Sequence, residues 1–222
     1  MAIMPPWSHS TLTSFETCPR RYYQTKVTRE IKEPQTEATI WGNTVHQALE
    51  NRAKSGQPLP EAIKSYEPLV DKIVARDGRR LVEEKMAIDS NFAPTDWSKS
   101  WARGIVDLGI VDTKKAYLFD WKTGKRKADS DQLKLMGLLA MHTYPWVEEV
   151  RTGFVWLKDN KVDQEVFTRE QVPVLWQDFL PRVQRLENAY VKSKWEPKPS
   201  GLCKAWCPCT GCEFNGRRSG KG

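Results

Sequence analysis

The chain has 222 residues, 39% of them hydrophobic and 28% charged, with a formal net charge of +7. That is room for one sizeable domain or two small ones with a real core, in the composition of a soluble globular protein. No apolar run approaches 18 residues, and "MAIMPPWSHS" has neither the basic start nor the apolar block of a signal peptide, so neither a membrane span nor a secreted product is expected.

In chain order, "SHSTLTSFETCPRRYYQTKV" reads as a helix capped by Ser8 or Ser10, with Leu12, Phe15 and Tyr22 or Tyr23 on its apolar stripe. Pro19 should break or restart it at Cys18. Residues 28–39, polar and containing Pro34, read as a loop. "WGNTVHQALENRAKSG" is an amphipathic helix ending near Gly56, and "PEAIKSYEPLVDKIVARDG" gives one or two more helical segments, broken near Pro68. The period then changes. "RLVEEKMAI", "GIVDLGIVD" and "AYLFDWK" are strand candidates, the last two joined around Thr113, Lys114 and Lys115. "SDQLKLMGLLAMHTYP" is a helix capped by Asp129 or Ser130 and stopped by Pro145, and "VRTGFVWLKDNKVDQEVFT" a hairpin turning at Asp159–Asn160. A long helix over 170–193 precedes a cysteine-rich tail. The order predicts one α/β domain over 1–222 with a central mixed sheet flanked by helices: N-terminal helices at 8–60, core sheet at 80–168, and the tail at 200–214.

Chemistry concentrates in "LFDWKTGK". On a strand, Asp120 and Lys122 share a face while Trp121 points into the core. In "GIVDLGIVD", Val106, Leu108 and Ile110 share one face, Asp107 and Gly109 the other, with the glycine leaving space beside the acid. A short turn places Asp107 opposite or diagonal to Asp120. Two facing carboxylates repel unless solvated, protonated or bridged by a cation, and hard oxygen ligands suit Mg2+ or Mn2+. His46 is a candidate nitrogen ligand that would tilt the site towards Mn2+; a satisfied core histidine is the bland alternative. Alternation admits only one of Glu83 and Glu84 on the active face, and Glu84 is assigned there. Gln132 could hydrogen-bond a phosphate or a neighbouring ligand.

Cys18 stands alone, while Cys203, Cys207, Cys209 and Cys212 crowd the tail. In an intracellular protein this pattern points to metal, and spacing alone does not choose between zinc and a 4Fe-4S cluster, nor decide whether Cys18 joins. Basic residues cluster at Arg20, Arg21, Lys26, Arg29 and Lys32, and at Lys122, Lys125, Arg126 and Lys127, as a polyanion partner would require. Trp7, Trp41 and Trp101 are candidates for stacking on unpaired bases, with core packing the favoured reading for most of them.

An Asp on one strand followed by Asp-x-Lys on the next resembles the PD-(D/E)XK nucleases. The ordered set "GNTVH", "GIVDL", "DWKTGK" and "DQLKLMGLLA", with one early cysteine and a late cluster, resembles the RecB-like exonucleases, including AddB and the CRISPR-associated nucleases with an iron–sulfur staple. The resemblance runs from about residue 8 to 214. It implies a restriction-endonuclease-like core and metal ligation by Asp107, Asp120, the Trp121 carbonyl and His46. Lys122 would orient water or steady the phosphate charge, and Gln132 would match the motif after the lysine. It also implies a 4Fe-4S cluster on Cys18, Cys203, Cys207 and Cys212 that joins the two ends of the chain, with Arg20, Arg21, Lys125, Arg126 and Lys127 on the phosphate backbone. One departure is that the middle tail cysteine falls one residue late, leaving Cys209 surplus and zinc open. The implied activity is a metal-dependent deoxyribonuclease on single strands or DNA ends, in the cytoplasm of a bacterial or virus-infected cell, with a helicase or recombination protein as a possible partner. A catalytically silent nucleic-acid-binding module and a basic zinc-binding structural protein are its rivals.

Overall fold

The computed structural model describes residues 4–126 and 130–217. By internal contacts the chain divides into two compact units, one formed by the residues up to Gln35 with those from Phe179 onward, the other by Thr36–Asp178.

The second unit holds a five-stranded sheet in the order β1 (Arg79–Ile88), β2 (Ala102–Val111), β3 (Lys115–Lys122), β4 (Glu149–Trp156), β5 (Lys161–Thr168). Only β3 and β4 pair in parallel, because the helix α5 (Ser130–Thr143) connects them; the other neighbours are antiparallel. The sheet is therefore mixed and flanked by helices. The β4–β5 hairpin turns where expected, with Asn160 at φ 47°, a conformation asparagine tolerates. Asp129, one of the two expected caps of α5, lies outside the described residues.

Two helices cover one face of the sheet. α3 (Glu37–Ser55) starts four residues earlier than the sequence suggests: Thr36 accepts from Thr39 N–H as a cap, so residues 37–39 are helix rather than loop. It ends at Gly56, whose φ of 71° is the left-handed C-cap that glycine adopts without strain. Val45, Leu49 and Ala53, spaced four apart on α3, join Val70 and Ile73 of α4 (Glu67–Val74) over Leu108, Phe119 and Trp121. Full burial of side chains of this size contributes about 1.5–3 kcal/mol each. Phe119 and Trp121 thus lock β3 under α3, which turns Asp120 and Lys122 towards α5.

In the first unit, Ser8 caps α1 (His9–Thr17) by accepting from Thr11 N–H. The break falls at Cys18, extended at φ −165°, before Pro19 opens the short helix α2 (Pro19–Tyr22), which runs on as a π-turn, Tyr23–Val27. Arg182, on the long helix α6 (Val172–Lys192), donates twice to Glu16 at 2.7 and 2.8 Å. Trp195 packs among Phe15, Tyr22, Tyr23 and Tyr190. Trp7, one of the candidate stacking residues, is core instead, wholly buried against Phe179.

Candidate active site

The β2–β3 ladder ends at the pair Leu108–Phe119, and one step beyond it lie Asp107 and Asp120. The strands fork there. Trp121 N–H, which β2 no longer serves, donates to Asp107 Oδ2 at 2.8 Å. The Trp121 carbonyl accepts from His46 Nε2 at 3.0 Å, and His46 Nδ1 stands 3.4 Å from Asp107 Oδ2. Both imidazole nitrogens thus face oxygen acceptors. That arrangement favours the imidazolium, and the His46 pKa is raised chiefly by its hydrogen bond to Asp107, against the opposing effect of burial.

The other side of the same peptide carries Asp120. Its Oδ1 accepts from Gln132 Nε2 at 2.5 Å; Gln132 Oε1 accepts from Lys122 Nζ at 2.9 Å; and Lys122 Nζ stands 2.7 Å from Asp120 Oδ2. The ammonium also rests 4.6 Å from the centre of the Phe154 ring. Asp120 is only 7% exposed. Burial and the negative charge of Asp107 push its carboxyl up to about 6, despite the opposing pull of Lys122. Its Oδ2 is buried with an ion-pair contact but no aligned hydrogen-bond donor. A buried carboxylate oxygen with unused lone-pair capacity is costly unless a cation completes it.

The acid that the structure brings to His46 and Asp107 is Glu83, whereas Glu84, assigned there from the sequence, lies apart from them. Val82 packs with the α3 cluster, whereas Glu84, two residues later, meets the Tyr144 hydroxyl at 3.3 Å and Arg79 at 3.4 Å. On a regular strand these two would share a face. The alternation breaks because Glu83 sits at φ 51°, in the left-handed region, where the β1–β2 pairing skips Glu83 and Asp107. Non-glycine residues held there cost about 1–2 kcal/mol and persist where their surroundings demand them. Glu83 is thereby placed with His46 and Asp107, one ligand atom from each lying within 4.8 Å of the others. Its own carboxyl is raised by burial and then by the charge of Asp107.

Gly109 does not leave a void, as the sequence suggested: a Cβ there would stand 2.8 Å from Leu118, which fills that space. The room lies elsewhere, in an open cleft of roughly 510 Å³ lined by Gly42, His46, Glu50, Glu83, Ile105 and Asp107.

The donor set fits a hard divalent ion. Opposite ligands of an octahedral ion at about 2.1 Å stand ~4.2 Å apart, so a group spread within 4.8 Å closes on such an ion with small side-chain movements. Asp120 lies outside that trio, engaged by Lys122 and Gln132, but its unsatisfied oxygen belongs to the same fork.

The five cysteines share one pocket in the first unit, together with Arg20, Arg21 and Lys198. Cys18 Sγ accepts from Lys198 N–H at 3.4 Å and Cys203 Sγ from Ser200 N–H at 3.5 Å, the kind of backbone donation that steadies thiolates. Cys209 is the buried member, its thiol pushed up to about 12 by burial and the neighbouring Cys207 and Cys18.

The expected backbone-gripping residues divide. Arg126 is tied by two hydrogen bonds to Asp163, which also accepts from Trp156 Nε1, so it braces the β4–β5 hairpin. Arg20 pairs with Glu213 at 2.7 Å and Arg21 with Glu33 at 2.9 Å. Lys125 is exposed, and Lys127 lies outside the described residues. Trp41 is 42% exposed, as expected, whereas Trp101 is half-buried against Phe92.

Among the described residues, no helix is long and apolar enough to cross a membrane. A search of curated proteins finds no match. Among solved structures, the protein named "Putative exonuclease" from Eubacterium rectale is 13% identical with a TM-score of 0.52, covering 98% of this chain and 90% of its own. The structure of SSO0001 is also 13% identical, with a TM-score of 0.49, covering 97% of this chain and 89% of its own. At such identity the first likeness speaks to the fold alone. A family model described as the PD-(D/E)XK nuclease superfamily matches residues 6–217, a span that includes the fork, the Asp-Trp-Lys strand and all five cysteines. The chain belongs to the PD-(D/E)XK nuclease superfamily.

Proposed function

We propose that the protein is a divalent-metal-dependent deoxyribonuclease of the RecB-like kind, acting on single strands or DNA ends with little sequence preference. The observation that carries this reading is the Trp121 peptide, whose N–H and C=O bind Asp107 and His46 while its flanking residues Asp120 and Lys122 form a bonded set with Gln132.

Asp107, His46, Glu83 and Asp120, with the Trp121 carbonyl, would hold Mg2+ or Mn2+. Once bound, such an ion lowers the pKa of its water and neutralises charge on the phosphate. Lys122 supplies a fixed positive group where the phosphorane gathers charge, and Asp120, Gln132 and Phe154 hold that ammonium in place before substrate arrives. Such a preorganised donor is typically worth about 10²- to 10³-fold in rate. The cleft between Gly42 and Ile105 gives an anionic strand access to these groups.

Cys18, Cys203, Cys207 and Cys212 would hold a 4Fe-4S cluster, with Cys209 the surplus thiol; all five face one pocket. Iron and sulfide analysis with visible absorbance tests that part, and a colourless protein containing zinc overturns it. For the activity, end-labelled single- and double-stranded DNA is incubated with Mg2+ or Mn2+, with and without EDTA. Metal-dependent shortening from the ends is expected. Failure to cut either substrate with either ion would leave a silent nucleic-acid-binding module as the better reading.

A further inference from the structure

Charge is divided unequally along the chain. The unit formed by residues up to 35 and from 179 onward carries fourteen lysines and arginines against six acids, whereas residues 36–178 carry twenty-one against twenty-two. The net positive charge therefore belongs entirely to the cysteine-bearing unit, and the unit with the acidic cleft is close to neutral. Within the basic unit, Arg20, Arg21, Lys26 and Lys194 are already paired with acids. Lys204 and Arg217 are exposed and, among the described residues, make no ion pair.

The backbones that carry these two side chains are held close together. Gly216 N–H donates to the Cys203 carbonyl at 2.9 Å, and a Cβ on Gly216 would stand 2.8 Å from the Lys204 carbonyl oxygen, so this turn lies directly on the Lys204 backbone. Buried Asn215 fixes the turn: its Nδ2 donates to the carbonyls of Cys207 and Cys209, and its Oδ1 accepts from Arg217 N–H. Two residues after Lys204, at the end of the short helix α7 (Leu202–Ala205), stands Trp206, 74% exposed, with Phe214, 46% exposed, on the same tail. An indole presented to water two residues along the chain from one unpaired cation, on the tail that carries the other, offers a base a flat face and its phosphates two counter-charges.

We propose that this tail is a single-strand-binding surface in its own right, with Trp206 stacking on an unpaired base and Lys204 and Arg217 engaging the flanking phosphates. The proposal rests on the reading of the protein as a DNA nuclease, but its test does not need cleavage. Binding of a fluorescein-labelled oligothymidylate is followed by anisotropy in EDTA over a range of salt concentrations. Trp206→Ala is expected to weaken binding by roughly tenfold or more, with Trp206→Phe recovering most of it. The double variant Lys204→Glu with Arg217→Glu is expected to lower both the affinity and the steepness of its salt dependence. A blunt duplex, whose base faces are hidden, should lose little affinity with Trp206→Ala. Wild-type affinity of Trp206→Ala for the single strand overturns the proposal, leaving the surface to a protein partner, whatever the cleavage assay shows. Weakened single-strand binding by Trp206→Ala, in a protein that cuts no DNA with either ion, would sustain the proposal while overturning the nuclease reading.

Discussion

The carboxylate of Asp107 accepts a hydrogen bond from the backbone N–H of Trp121 at 2.8 Å, so an acid on one strand completes the backbone of the next just where their ladder has ended. This bond couples the fold to the site, because the same oxygen faces His46. The structural duty of Asp107 and its proposed part in holding a metal can therefore be separated by substitution.

Asp107→Ala leaves the part-buried Trp121 N–H unpaired, which should cost about 1–3 kcal/mol. Asp107→Asn keeps an acceptor and should recover most of that loss. Neither should cleave DNA, since the amide brings no charge to a cation. Urea denaturation beside a nuclease assay checks both halves; equal stability of the two variants would deny the hydrogen bond its structural role.

Asp120 gives the metal-free protein a signature in pH. Its folded carboxyl is raised from 3.8 to about 6, so the folded state holds this proton more tightly than the unfolded chain. The resulting stabilisation is complete below about pH 4, is lost as pH rises to about 6, and is absent above. Asp120→Asn removes that dependence. It should be more stable than the wild type at pH 7.5 in EDTA, lose the advantage near pH 4, and fail to cleave. Thermal melts across that range decide it.

Lys122 and Gln132 should differ in degree. Lys122→Ala removes the ammonium and should lower the cleavage rate about 10²- to 10³-fold. Gln132→Ala removes a partner of both Lys122 and Asp120 and should cost less, roughly tenfold, because the ion pair remains. Lys122→Arg should not restore activity, since a planar fork cannot occupy the place of a compact ammonium over Phe154. Single-turnover rates are the relevant readout.

The two neighbouring glutamates offer a sharper contrast. Glu83→Ala should weaken Mn2+ binding, while Glu84→Ala, which loses only contacts with Tyr144 and Arg79, should bind the ion as the wild type does. The opposite ranking would return the site to the regular strand alternation.

Much of this was legible in the chain. "DWK" forces an acid and a cation onto one face of a strand whose tryptophan and phenylalanine seek the core, and the short turn after Asp112 sets the register that brings Asp107 and Asp120 level. His46 follows from its place beside Val45 on a helix whose apolar stripe must face that strand. Glu83 was not legible, because its position depends on a left-handed backbone angle that no local residue preference announces. Gly109 misled for a related reason: an absent side chain does not say which neighbour takes its space. The aromatic residues were least legible. Trp7 and Trp206 look alike in sequence, yet one fills a helix junction and the other stands in water, a difference made by contacts distant along the chain.

Calorimetric titration of the metal-free protein with Mn2+ at pH 7.5 tests the central claim most directly. One ion should bind to the wild type, with affinity at least tenfold weaker after His46→Ala, Asp107→Asn or Asp120→Asn. Unchanged affinity in all three variants would show that the fork between β2 and β3 does not hold the ion.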